Sequence, residues 1–214
     1  LPEVERRLDP QALGELFTYW APLETHSAYA RVQALAPGHV LVARGAERRL
    51  RRYWDWSFDR VDSAAVRPLA DCIEEARALL IDAVRLQLRA DVPVGAYLSG
   101  GLDSSAITSL IRHYTDTPLR TFSLTFEDAE FDESAHQRSL VRFLGTDHTA
   151  LRCRKRDIAR LFPRAIWHAE TPIVRTAPAP LMLLSACVRA QGYKVALTGE
   201  GADEVFAGYD LFKE

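Results

Sequence analysis

Apolar residues recur along the chain in two rhythms, and the character changes near residue 60. Residues 9–20 place Leu13, Leu16 and Phe17 at helical spacing, with Asp9 positioned to cap the first turn and Pro10 suited to its start. This predicts a short amphipathic helix with those three side chains on its buried stripe. The turn Ala36-Pro37-Gly38-His39 leads into Val40–Ala43, a predicted strand, and the aromatic run Tyr53–Phe58 supplies a second strand to complete a hairpin. That run also suits a ligand platform, although packing at a strand edge or linker is the simpler role.

Past Asp59-Arg60-Val61-Asp62-Ser63 the pattern turns to long helices and short apolar runs, which divides the chain into residues 1–60 and 61–214. Residues 64–89 set Leu69, Ile73, Ala76, Leu80, Val84 and Leu88 close to a 3.6-residue period. Strands are predicted at 94–98, 119–126, 148–151 and 194–197, and helices at 104–114, 133–144, 155–168 and 179–191. Buried strands alternating with helices predict an α/β fold: a doubly wound, mostly parallel sheet with helices on both faces. Ligands of such sheets bind at the carboxyl ends of the strands. Two glycine-rich segments, 99–105 and 198–204, fall at that edge.

Composition narrows the classes. The 214 residues carry 27 basic and 29 acidic side chains and a net charge of -2, so nothing points to nucleic acid as a partner. Arg48-Arg49-Leu50-Arg51-Arg52 and Arg152-Cys153-Arg154-Lys155-Arg156 could each be a phosphate or RNA patch, but a solvated loop is the simpler reading. Cys72, Cys153 and Cys187 show no metal-ligand spacing. Cys72 and Cys187 read as small core residues. Cys153 lies among cations that would lower its pKa, and reads as an adventitious thiol. His148 reads as structural. No apolar run approaches the ~20 residues of a membrane span, so a cytoplasmic setting is expected. A first residue of leucine, and an end at Glu214 soon after a motif-rich turn, are expected of a fragment or trimmed product.

The segment Ser99-Gly100-Gly101-Leu102-Asp103-Ser104-Ser105 follows a strand and opens a helix. Glycines let the backbone turn tightly and approach a ligand. The free N–H groups and positive dipole end of the helix attract anions, and three serine hydroxyls add donors. Asp103 beside a phosphate implies an intervening Mg²⁺. The bland alternative is a strand-turn-helix connection with a serine cap. Residues 197–209, Leu-Thr-Gly-Glu-Gly-Ala-Asp-Glu-Val-Phe-Ala-Gly-Tyr, form a second such turn. There Glu200 and Asp203 would face one way on a new helix and Val205 and Phe206 would pack inward. An acidic surface turn is the alternative.

The first loop resembles the Ser-Gly-Gly-x-Asp-Ser loop of the ATP-pyrophosphatase (PP-loop) superfamily, which holds pyrophosphate while an oxygen nucleophile attacks the α-phosphate. Together the two loops resemble the synthetase domain of glutamine-hydrolysing asparagine synthetase. Asp91–Gly95, Thr121–Leu124, Phe131–Glu133 and Leu144–His148 extend the similarity. Leu35–His39 with Tyr53–Asp55 resembles the tail of that family's glutaminase domain, making residues 1–60 a small α+β remnant of it. The resemblance implies that Ser99, Gly100, Gly101, Asp103 and Ser104 bind pyrophosphate. It implies that the backbones of Tyr97, Leu124 and Gly199, beside Thr198, line the nucleotide, and that Asp103 and Asp203 hold Mg²⁺. Glu200 would sit where β-aspartyl-AMP forms and ammonia attacks, as proton acceptor or orienter. ATP and Mg²⁺ are the implied cofactors, aspartate with glutamine or ammonia the substrates, and a homodimer one candidate state of the full-length protein.

Tyr97 stands where the family usually has leucine and Ala207 where it has glycine. That family's N-terminal cysteine nucleophile and its later basic phosphate contacts have no counterpart within these 214 residues, as expected of a fragment. Two alternatives stay open: a related synthetase making another amide, as in β-lactam formation or peptide cyclisation, and a non-catalytic nucleotide-binding fragment.

Overall fold

The computed structural model describes residues 3–57 and 67–212, so the expected boundary at 60/61 and Phe58 lie outside the described residues. Contacts group the chain into two compact units, 1–66 with 163–176, and 67–162 with 177–214.

In the first unit, helix α1 (Pro10–Tyr19) is capped by the Asp9 carboxylate, which accepts from the N–H groups of Gln11 and Ala12 at 2.9 and 3.2 Å. The buried stripe is Ala12 and Leu16; Phe17, expected beside them, lies about 100° round the helix from Leu16 and is exposed. Strands β1 (His39–Arg44) and β2 (Glu47–Arg52) pair antiparallel across a two-residue loop. The second strand is therefore the arginine-rich run, read from sequence as a loop, and not the aromatic run. The aromatic segment follows it, with Tyr53 and Trp54 donating backbone N–H groups to Gly38 O.

The second unit holds α2 (Leu69–Gln87), β3 (Val94–Tyr97), α3 (Leu102–Tyr114), β4 (Arg120–Phe126), α4 (Ser134–Leu144) and β5 (Asp147–Cys153). The first half of α5 (Lys155–Ala169), up to Phe162, also belongs here, and α6 (Pro178–Ala190) precedes β6 (Val195–Leu197) and the short α7 (Ala202–Phe206). All four strands β3 to β6 run parallel in the order β5-β4-β3-β6. Helices cover both faces, as expected. Val84 of α2 and Ile111 of α3 pack on Ala96, whereas Leu184 and Val188 of α6 pack on Phe122. A Cβ on Gly95 would come within 2.8 Å of the Phe122 ring, so glycine lets that ring lie over β3.

This order has a functional consequence. The chain steps outward from β3 to β4 to β5, then returns to place β6 on the other side of β3. The direction of winding reverses between β3 and β6, and an open α/β sheet forms its crevice outside such a switch point. The loops after β3 and β6 are the two glycine-rich segments. Several predicted burials differ. Cys72 is exposed, as are Leu69 and Ile73, because the first half of α2 is uncovered among the described residues; its stripe is partly covered at Ala76 and Leu80, and Val84 packs on Ala96 of β3. Also among the described residues, no helix is long and apolar enough to cross a membrane.

Candidate functional site

The loop after β3 is built by its own serines. Ser99 and Ser104 hydroxyls lie 2.9 Å apart, Ser104 Oγ accepts the Ser99 N–H at 3.1 Å, and Ser99 Oγ accepts the Gly101 N–H at 3.2 Å. Ser105 Oγ donates to Gly101 O at 2.6 Å. These bonds pull residues 99–105 into a closed turn over the first turn of α3, where free N–H groups and the positive helix end face outward. Gly100 takes φ +97° and packs against α4; a Cβ there would lie 3.3 Å from Glu133 O and His136 Cβ.

The loop after β6 is in direct contact with the first. A Cβ on Gly199 would fall 2.7 Å from Asp103 Cβ and 2.9 Å from the backbone of Asp103 and Ser104. Only a residue with no side chain lets the two segments meet. A cleft of about 270 Å³ opens where they join. It is lined by Tyr97, Ser99, Gly101, Asp103, Ser104, Leu124, Thr198, Gly199, Glu200 and Asp203; among the expected site residues only Gly100 turns away from it.

Its chemistry is lopsided. Asp103, Glu133, Glu200, Asp203 and Glu204 line the cleft, whereas no lysine or arginine does among the described residues. Glu204 accepts the Tyr209 hydroxyl at 2.7 Å, which holds its carboxyl below the usual range. Apolar rings of Phe122, Phe126 and Phe131 supply the other wall. No group of three or more metal-ligating side chains occurs among the described residues. Asp103 and Asp203 both line the cleft beside the start of α3, and that donor set suits Mg²⁺, which commonly takes one or two carboxylates and completes its shell with water and substrate phosphates.

Two expectations for the second loop are corrected. Glu200 precedes α7 instead of sharing a helix face with Asp203, and the sharp turn at Gly201 (φ +91°) brings both to the cleft. Val205 and Phe206 are exposed, not packed inward, because α7 is a single short turn. Ala207 adopts φ +55°, a left-handed conformation natural to the glycine it replaces.

One buried residue carried no sequence signal. Gln137 of α4 is 3% exposed, and its amide nitrogen donates to both Ser99 O and Leu124 O at 2.9 Å. Its amide oxygen accepts from Ser123 Oγ at 3.0 Å. His148 lies behind, 3.1 Å from Ser123 Oγ and 2.9 Å from Thr121 Oγ1, and burial lowers its pKa. Among the described residues its ring bonds to Thr121 and Ser123 alone, in keeping with a structural histidine. Cys153 is buried, which raises its thiol pKa, against the lowering expected from neighbouring cations. Those cations turn instead to the end of β4, where Arg152 and Arg154 pair with Glu127 and Lys155 pairs with Asp128.

The chain is similar to several known proteins. "Amidase chyE" of Penicillium rubens is 34% identical over 206 residues, covering 89% of this chain and 31% of its own. "Putative asparagine synthetase [glutamine-hydrolyzing] 2" of Methanocaldococcus jannaschii is 35% identical over 185 residues, covering 86% and 35%. The chain thus spans about a third of the length of the curated relatives it matches. Among solved structures, NMN synthetase from Francisella tularensis superposes with TM-score 0.46 at 22% identity, over 64% of this chain and 58% of that one. Residues 75–214, about two thirds of the chain, match the family description asparagine synthase. The chain belongs to the asparagine synthase family.

Proposed function

We propose that this chain carries the ATP site of an amide-forming ligase that adenylates a carboxylate and passes the acyl group to ammonia. The carrying observation is the contact between the two glycine loops, with Gly199 against Asp103 and Ser104, which sets Glu200 and Asp203 beside the serine-built turn. A phosphate cradle alone would bind nucleotide. A second carboxylate-bearing loop at its rim gives acyl transfer a place to occur.

In this reading the backbone N–H groups and hydroxyls of residues 99–105 hold the β- and γ-phosphates of ATP. The aromatic wall and the Tyr97, Leu124 and Gly199 backbones, beside Thr198, flank the nucleoside. Asp103 and Asp203 would hold Mg²⁺, and the charge of the leaving pyrophosphate would be offset by that ion's positive charge. That charge is needed in a cleft lined by carboxylates, since bare phosphates would be repelled. The acceptor carboxylate oxygen attacks the α-phosphorus, the bond to pyrophosphate breaks, and an acyl adenylate forms. Ammonia then adds to the acyl carbon, AMP leaves with the former carboxylate oxygen, and Glu200 takes or orients the proton lost by nitrogen. Fixed donors around the leaving charge and held reactants account for the acceleration.

Aspartate as acceptor, giving asparagine, and glutamine as the ammonia source are proposed from the family. Residues 1–60 are then the tail of a glutaminase domain and residues 61–214 part of the synthetase domain. A second reading, a related synthetase that makes another amide from a different carboxylate, draws on the 34% identical relative whose name is not asparagine synthetase but amidase. Aspartate labelled with ¹⁸O in its side-chain carboxylate tests the proposal in the full-length protein. AMP carrying one ¹⁸O is expected. Label appearing in free phosphate would overturn adenylation, and turnover only with another carboxylate would move the assignment to the second reading.

A further inference from the structure

The amide of Gln137 can be oriented in one way only. Its nitrogen faces two backbone carbonyls, Ser99 O and Leu124 O, each at 2.9 Å, and carbonyl oxygens are acceptors alone. The amide oxygen must then receive the single proton of the Ser123 hydroxyl. Ser123 has only acceptor capacity left for His148, so Nε2 of that ring carries its hydrogen, and Nδ1 accepts from Thr121. Thr121 in turn accepts from Thr146, 3.0 Å away. The result is a one-directional chain from Thr146 to the first residue of the phosphate loop. Thr121, Ser123 and Gln137 within it are 0%, 2% and 3% exposed, so water does not compete.

Position matters as much as direction. Ser99 leaves β3 and Leu124 belongs to the neighbouring β4, so one amide group spans the carbonyl edges of two strands that border the cleft. The Gln137 side chain also backs Gly100, with its Cγ 3.3 Å from where a Cβ would stand.

We propose that Gln137 is a positioning residue for adenylation, holding the phosphate loop at its working distance from β4. The proposal rests on the reading of the cleft as an ATP site. A glutamate of the same shape would oppose its carboxylate to two carbonyl oxygens, and could donate to one of them only when protonated. Burial and the facing oxygens both raise the pKa of such a carboxyl. Among the described residues, His148 on β5 behind Ser123, Glu133 just before α4 and His136 on α4 are the other titratable groups near this face.

The test is ATP–pyrophosphate exchange by the full-length protein as wild type, Gln137→Met and Gln137→Glu, between pH 6 and pH 8. Gln137→Met fills the space without a donor and should raise KM for ATP about tenfold. KM for the acceptor carboxylate should stay within about twofold. Gln137→Glu should show a larger rise at pH 8 that shrinks severalfold at pH 6, relative to wild type. If Gln137→Glu does not fold at pH 8, Gln137→Met decides the matter. A lowered melting temperature with unchanged kinetic constants in Gln137→Met overturns the proposal, as does a Gln137→Glu profile parallel to wild type. Exchange in wild type with intact constants in the variants removes this proposal alone. No exchange in wild type removes the ATP reading and this proposal with it.

Discussion

Replacing Gly199 with alanine puts a methyl group into the seam between the two loops. The new carbon would sit 2.7 Å from Asp103 Cβ and 2.9 Å from two backbone atoms, where ordinary contact begins at 3.4 Å. One side of the seam must therefore retreat by about 0.7 Å. The obstacles are the helix backbone and the root of Asp103, not the tip of a flexible side chain, so relief comes from moving the loop at 198–204. Overpacking of this kind costs about 1–3 kcal/mol. In a chain of this size that lowers Tm by roughly 2–4 °C for each kcal/mol and leaves the protein folded. Catalysis is less tolerant, since a misplacement near 1 Å can cost about 10²-fold. Gly199→Ala should lower kcat/KM for ATP–pyrophosphate exchange by about ten- to a hundredfold in the full-length protein, with only a modest change in Tm. Exchange within about twofold of wild type would refute the claim that the two loops must touch.

Glu200→Ala should keep ATP affinity within about twofold while amide formation falls by about 10²-fold or more, and loss of ATP binding instead would move Glu200 to the nucleotide. Gly14→Ala, in the interior of α1 with nothing within 4 Å of the new Cβ, should raise stability to denaturant by about 0.5–1 kcal/mol without touching kinetics, and a loss would contradict the helix geometry. Two histidines should titrate by NMR on opposite sides of 6.5. Glu15, 3.0 Å from Nδ1, raises the pKa of His26, so its stabilisation is present below 6.5 and fades as pH climbs through the folded value. Burial lowers the pKa of His148, so the unfolded chain binds its proton first and stability falls as pH drops below 6.5. Coincident titrations would refute both environments.

The second unit was legible where one interaction dominated. Short β-rich runs between helical periods were enough to give a parallel sheet, because buried parallel strands are apolar on both faces. Both glycine loops were found because a close approach leaves a residue with no side chain in the sequence. The switch point between β3 and β6, which explains why these loops meet, needed the strand order. Strand β2 was hidden because both of its faces are exposed, so Arg48–Arg52 shows no apolar alternation. Helical period overstated burial at Phe17, and the predicted helix did so at Val205 and Phe206, since a helix fixes a face but not what covers it. Gln137 was invisible for another reason. A buried amide is recognised by its partners, and Ser99, Ser123 and Leu124 lie 38, 14 and 13 residues away.

Exchange of labelled pyrophosphate into ATP tests the central claim most directly. With Mg²⁺ and aspartate, and with no ammonia source, the full-length protein is predicted to carry label into ATP, and to stop when the carboxylate is withheld. Exchange with no carboxylate of any kind, or cleavage of ATP to ADP and phosphate, would contradict the account.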